Sequence, residues 1–183
     1  MTSLEEQYDI RCQTQSDINE HLPVLKKYAE ECDTILEFGV RWIVSTYALL
    51  MGKPKLMRSV DIVYPRGDPD LCKRLAEYNS VDFDFVVQDS RKYGNDEDKW
   101  DLIFIDTLHN YDVLKEELRV QGNRANKYII FHDTVTFGSV DEAGSGQGLN
   151  PAIDEFLEEN SHWYRHEVFT NNNGLTILKR NNV

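Results

Sequence analysis

Short apolar runs alternate with amphipathic stretches along the whole chain. Residues 17–32 put Leu22, Leu25, Tyr28, Ala29 and Cys32 on one face, the spacing of a helix, with Ser16 and Asp17 as caps and Pro23 in an early turn. Thr34–Phe38 is a compact strand, and Ile43–Met51 a helix closed by Gly52. Leu56–Ile62 is predicted as a strand, Pro69–Asn79 as a helix and Phe83–Gln88 as a strand. Arg91–Lys99 is a charged loop. Leu102–Ile105 is the clearest strand, and its unbroken apolar character suits burial on both faces. Tyr111–Arg119 is a helix and Tyr128–Phe131 the next buried strand. Val135–Leu149 is rich in glycine and predicts a long mobile loop, placed to act as a lid. Pro151–Asn160 is a helix, and Tyr164–Thr170 and Leu175–Lys179 form a hairpin through Asn171–Gly174.

Repeated βα units closed by a hairpin predict an α/β fold. The sheet is expected to be mostly parallel with helices on both faces, and the hairpin adds one antiparallel strand. The whole chain, 1–183, reads as one domain, with 1–15 extended or mobile. Ligands of such sheets bind beyond the carboxyl ends of the strands, which selects the residues worth weighing.

After the first strand, Gly39 permits a tight turn and close approach to a ligand, and Ser45 falls in the first turn of the next helix, where backbone N–H groups are free. The G-x-G-x-x-G fingerprint is missing, because Arg41 and Val44 interrupt it. Asp61 ends the second strand, where a carboxylate can accept two hydrogen bonds from a ribose diol. It suits an adenosine ligand without choosing between NAD and S-adenosylmethionine (SAM). Asp89, after the third strand, could reach an adenine amino group.

Asp106 and Asp133 follow the fourth and fifth strands. Neighbouring strands bring them together as two oxygen ligands for a divalent cation. His132 and Asp133 are consecutive and should face opposite sides while the strand lasts, which favours Asp133 alone. His109 leans over the same place, and its ordinary pKa near 6.5 suits a general base.

Charge narrows the partners. The net charge is −12 and the pI near 4.8, which speaks against nucleic acid and against an anionic membrane surface. No apolar run approaches the ~20 residues of a spanning helix, and the polar start, Met1–Ile10, carries no sign of a signal peptide. Cys12, Cys32 and Cys72 lie far apart without a C-x-x-C, so a reducing, cytoplasmic setting is expected. A small-molecule acceptor is the expected partner, and a homo-oligomer stays open.

The runs ILEFGVRWIVST, SVDIV, WDLIFIDTLHNYDVLKEEL, YIIFHDT and NNNGLTILKR resemble the class I SAM-dependent methyltransferases, and look closest to the cephalosporin-hydroxylase-like and macrocin-O-methyltransferase-like group. The resemblance spans about Ser16 to Arg180. It implies a doubly wound three-layer sandwich around a seven-stranded, mostly parallel sheet with the last strand antiparallel, and SAM at the carboxyl edge, with Glu37 and Gly39 on the first cofactor motif, Asp61 at the ribose and Asp89 near the adenine. It places Asp106 and His109 on the fourth motif, and Asp133 where metal-dependent relatives help hold Mg2+. Ile43, Thr107 and the segment Arg124–Lys127 stand where relatives usually carry glycine. The implied activity is methyl transfer to a small hydroxylated acceptor: sugar-derived, polyol or phenolic. A SAM-fold binding protein without catalysis and an NAD-dependent oxidoreductase are the alternatives.

Overall fold

A computed structural model describes residues 2–95 and 97–181; Met1, and Asp96 of the expected 91–99 loop, lie outside the described residues. The strands are β1 (Thr34–Phe38), β2 (Leu56–Asp61), β3 (Asp82–Val87), β4 (Trp100–Ile105), β5 (Ala125–His132), β6 (Trp163–Phe169) and β7 (Leu175–Arg180). They form a seven-stranded sheet in the order β3-β2-β1-β4-β5-β7-β6. β7 is antiparallel to both β5 and β6, while the β1–β2, β2–β3 and β4–β5 pairs are parallel. The expected sheet is therefore the observed one. The chain falls into two compact units, Met1–Tyr93 and Gly94–Val183.

The first unit carries helices α1 (Leu4–Gln13), α2 (Leu22–Ala29), α3 (Ser45–Met51) and α4 (Pro69–Tyr78). Helix α1 occupies a stretch expected to be extended. The Ser3 hydroxyl accepts the Glu6 N–H at 3.0 Å and the Glu6 carboxylate accepts the Ser3 N–H at 3.4 Å. This capping box satisfies two N–H groups at the helix start, and Leu4 and Tyr8, one turn apart, are buried. The expected 17–32 helix is shorter. Asn19–His21 is a 3-10 turn and α2 begins at Leu22, because Pro23 fits only the first turn of a helix. Four of the five β1 residues are buried.

In the second unit α5 (Tyr111–Gln121) packs on α6 (Leu149–Glu159). β4 and β5 are in register with Ile105 opposite Phe131, so Asp106 and His132 leave the sheet side by side. Arg124, in one of the glycine-poor departures, is buried; its guanidinium contacts the Asp98 carboxylate at 3.1 Å and the Gln121 side chain. The β6–β7 turn holds Asn172, Asn173 and Gly174 at positive φ. Gly174 has no substitute there, since a Cβ would lie 2.5 Å from the Val135 nitrogen.

The expected mobile loop after β5 is fastened. Val135 and Thr136 donate their N–H groups to the Asn173 carbonyl at 2.9 and 3.0 Å, and Gly148 donates to Ser139 at 3.1 Å. Val140 and Gln147 form a bridge across it. The three cysteines are free, and no helix among the described residues is long and apolar enough to cross a membrane.

Candidate functional site

The turn after β1 is a strained piece of backbone. Gly39, Arg41 and Ile43 have φ values of +85°, +46° and +59°. Left-handed backbone costs a residue with a Cβ roughly 1–2 kcal/mol, so alternate glycines would be expected here. This chain keeps the conformation with an arginine and an isoleucine. Ile43 is buried, and Arg41 is paired with Asp17. The left-handed pair also explains why α3 starts at Ser45 and not at Ile43.

Asp61 holds this turn in place. One carboxylate oxygen accepts the Val40 and Arg41 N–H groups at 2.8 and 3.2 Å, and the other accepts the Val63 N–H at 3.2 Å. A carboxylate has about four acceptor sites, so one remains where the sequence suggests two. Beyond it Ile62, Val63 and Tyr64 are exposed, as is Val87, the β3 partner of Asp61. The signal for this apolar group was present in the sequence, since the run continues past the strand end.

Glu37 and Ser45, expected to face the cofactor, are both buried. The Glu37 carboxylate accepts hydrogen bonds from Ser45 (2.6 Å), Thr46 (2.8 Å) and Ser59. These two side chains join β1 to α3 and β2 and do not open onto a surface. Asp89 is gripped by the Arg91 guanidinium at 2.9 and 2.7 Å, which holds its pKa down at about 2.

In the second unit, Asp106, His109 and Asp133 each offer a ligand atom, all within 4.8 Å of one another. His109 Nε2 lies 2.8 Å from Asp133 Oδ2 and 3.5 Å from Asp106 Oδ1. His132 belongs to the same cluster. Its Nδ1 is 3.2 Å from Asp133 and 3.5 Å from Asp106, and its Nε2 is 3.1 Å from the Asn172 carbonyl. The expectation that His132 and Asp133 face opposite sides is thus overturned. Asp133 has φ +62°, which ends the strand alternation and turns its carboxylate back toward His132. Its Oδ1 is buried with no hydrogen-bond partner among the described residues. Such an atom costs about 1–3 kcal/mol, and a cation or a donor on a ligand would satisfy it.

Burial pushes His109 and His132 downward in pKa, but Asp106 and Asp133 outweigh it and raise both to about 10. Burial pushes both carboxyls upward, and the imidazoles outweigh it, so both are lowered. His109 is therefore a cation at neutral pH, not the free base its ordinary pKa suggests. Two further residues, absent from the sequence-based set, touch it. Glu142 Oε2 lies 2.8 Å from Nδ1, and the Phe137 ring stacks at 4.7 Å and 11°. Thr107 donates its hydroxyl to the buried Glu117 at 2.9 Å and so pins the turn that carries His109. A cavity of about 10 Å³ lies among Asp106, Thr107, His109, Leu114, His132 and Leu149, the space of a single water.

No family model and no curated protein matches the chain. Solved structures do. An O-methyltransferase from Bacillus cereus in complex with S-adenosylhomocysteine (SAH) superposes with a TM-score of 0.64 at 17% identity, covering 97% of this chain and 90% of that one. A 1,6-didemethyltoxoflavin-N1-methyltransferase from Burkholderia thailandensis, with its substrate and SAH bound, gives 0.65 at 12% identity over 98% and 85%. An SAH-bound methyltransferase from Podospora anserina gives 0.55 at 15% over 98% and 88%. The chain has the class I methyltransferase fold.

Proposed function

We propose that this protein is a SAM-dependent methyltransferase acting on a hydroxyl of a small acceptor, within the cephalosporin-hydroxylase-like and macrocin-O-methyltransferase-like group. The observation that carries the proposal is the gathering of Asp106, His109, His132 and Asp133 at the carboxyl ends of β4 and β5, in a fold shared with SAH-bound enzymes. Bound SAM would supply an electrophilic methyl, passing from its sulfur to the acceptor oxygen with SAH as the leaving group.

The cofactor residues fit that role unequally. The Gly39 turn passes through three left-handed residues, a course that glycines usually supply, and Asp61 retains one acceptor site for a ribose hydroxyl. Ile62, Val63 and Val87 offer an apolar surface suited to an adenine face. Glu37 and Ser45 support the turn from behind.

A hydroxyl must lose its proton to become a good nucleophile. Asp106 is the more open carboxylate of the pair, with its side chain 26% exposed against 5% for Asp133, so it is the one an acceptor hydroxyl can reach and donate a hydrogen bond to. His109 and His132, both protonated, place positive charge beside the oxygen as it becomes negative. The cluster also fits a divalent cation. Asp106, Asp133 and Nε2 of His109 would hold it in place of the Nε2 proton, which a cation must displace, and an imidazole in the set suits Mn2+, Fe2+ or Zn2+ better than Mg2+. Bound there, such a cation would lower the acceptor's pKa.

Thermal shifts with SAH and with NAD, followed by transfer of labelled methyl from SAM to catechol, phenol and methyl glucoside, test the proposal. SAH should stabilise and NAD should not. Absence of SAH binding would sink it.

A further inference from the structure

We propose that Glu142 is a positioning residue for His109, reaching in from the loop after β5 to fix the imidazole from the side opposite Asp133. The proposal rests on the cluster of Asp106, His109 and Asp133 being the reacting site. His109 lies between β4 and Asn110, the N-cap of α5, so no regular backbone hydrogen bonding sets its ring. A carboxylate at Nε2 alone leaves the ring free to tilt about that contact.

The loop removes this freedom. Glu142 binds the residue twice: its carboxylate is 2.8 Å from Nδ1, and its N–H donates to the His109 carbonyl at 3.1 Å. Phe137, from the same loop, covers one face of the ring. The far end of the loop is tied to the start of α5, since Tyr111 donates its N–H to the Gln147 carbonyl at 3.0 Å. His109 is thus held in plane at both nitrogens and on one face. A half-turn of the ring would set carbon where both hydrogen bonds now stand. A carboxylate on the far nitrogen fixes ring orientation and strengthens what the near nitrogen can do, whether it faces an acceptor or a metal. An ordinary exposed ion pair would contribute little, and the two roles separate experimentally.

The first readout needs no acceptor. Imidazole 1H–15N correlation spectra at neutral pH, with His109 assigned through His109→Gln, should show an Nδ1 proton protected from exchange. Glu142→Ala should open that proton to rapid exchange and leave the Nε2 proton protected. Glu142→Gln, which still offers an oxygen, should restore the protection at Nδ1. Unchanged His109 signals in Glu142→Ala overturn the proposal. The second readout is methyl transfer from SAM to the hydroxyl probe that the wild type accepts. Glu142→Ala should lower kcat roughly 10–100-fold with SAM affinity unchanged, and Glu142→Gln should recover most of the loss. A kcat equal to wild type in Glu142→Ala also overturns it. Wild-type protein inactive on every hydroxyl probe would count against the proposed reaction, while the spectra alone would still decide the role of Glu142.

Discussion

His109 Nε2 lies 2.8 Å from Asp133 Oδ2, and it does so because Asp133 has left the strand with φ +62°. An aspartate in the β conformation would send its carboxylate to the other face from His132. The left-handed residue folds both side chains, and Asp106 beside them, into one cluster. Two carboxylates and two imidazoles then fix each other's charge.

Asp133→Asn tests that coupling. Asparagine tolerates the left-handed backbone, so the geometry should survive while the charge goes. Both imidazoles should titrate well below their value of about 10, since a principal partner of each is neutralised. NMR titration of the ring protons reads this directly. Titration near 10 in the variant would mean that Asp106 alone holds the two cations.

Stability should follow pH in a definite window. His109 and His132 are raised from 6.5 to about 10, so their contribution is complete below 6.5 and fades as pH climbs to about 10. Asp106 and Asp133 are lowered from 3.8, so theirs is complete above 3.8 and is lost as pH falls below it. The cluster therefore stabilises most between about pH 4 and 6.5. Tm should decline from pH 6.5 to 10, and His109→Gln should flatten that decline. An equal slope in the variant would show that other groups govern it.

Parts of this site were legible in the sequence for physical reasons. β1 falls on Thr34–Phe38 as expected, because a short apolar run bounded by polar residues leaves little choice. The meeting of Asp106 and Asp133 followed from two strands that had to be neighbours. His132 was misplaced, because the alternation rule holds only while φ stays in the β region. Glu142 and Phe137 were missed altogether. They sit on a loop without periodicity, and their contacts join residues far apart in the chain. Glu37 and Asp61 carry acids at the expected strand ends, yet nothing in the sequence showed that hydroxyls and turn amides already engage them.

The strained turn offers a pair of opposite outcomes. Ile43→Gly relieves left-handed strain of about 1–2 kcal/mol but deletes a buried side chain, which typically costs about 2–5 kcal/mol. Urea unfolding should show a net loss of roughly 1–3 kcal/mol. Arg41→Gly relieves similar strain and loses the exposed pair with Asp17, so its stability should stay within about 1 kcal/mol of wild type. Comparable losses in both variants would mean that the arginine does more than occupy the turn.

A cation at the cluster would raise Tm by binding only the folded protein. With imidazole in the donor set, Mn2+ should shift Tm more than Mg2+ at equal concentration, and EDTA should reverse the shift. Asp106→Asn and Asp133→Asn should each abolish it. If no divalent cation moves Tm in the wild type, the cluster works through its own charges.

Asp61 carries the last expectation, because it holds the turn and is also the residue proposed for the cofactor's ribose. Its three backbone hydrogen bonds, at 2.8, 3.2 and 3.2 Å, hold Val40, Arg41 and Val63. Each bond to a charged acceptor contributes about 1.5–3 kcal/mol where it is shielded, and less where water competes. Asp61→Ala should therefore destabilise the fold by about 2–3 kcal/mol. It should also weaken SAH binding roughly 10–100-fold, through the lost ribose bond and the loosened turn. Asp61→Asn separates the two effects. Its one carbonyl oxygen can keep the Val40 bond, but its amide cannot accept from Val63, so it should lose less stability than alanine. Calorimetry with SAH and unfolding in urea measure both quantities on the same samples. An alanine variant that loses stability but binds SAH as tightly as wild type would make Asp61 a support for the turn alone.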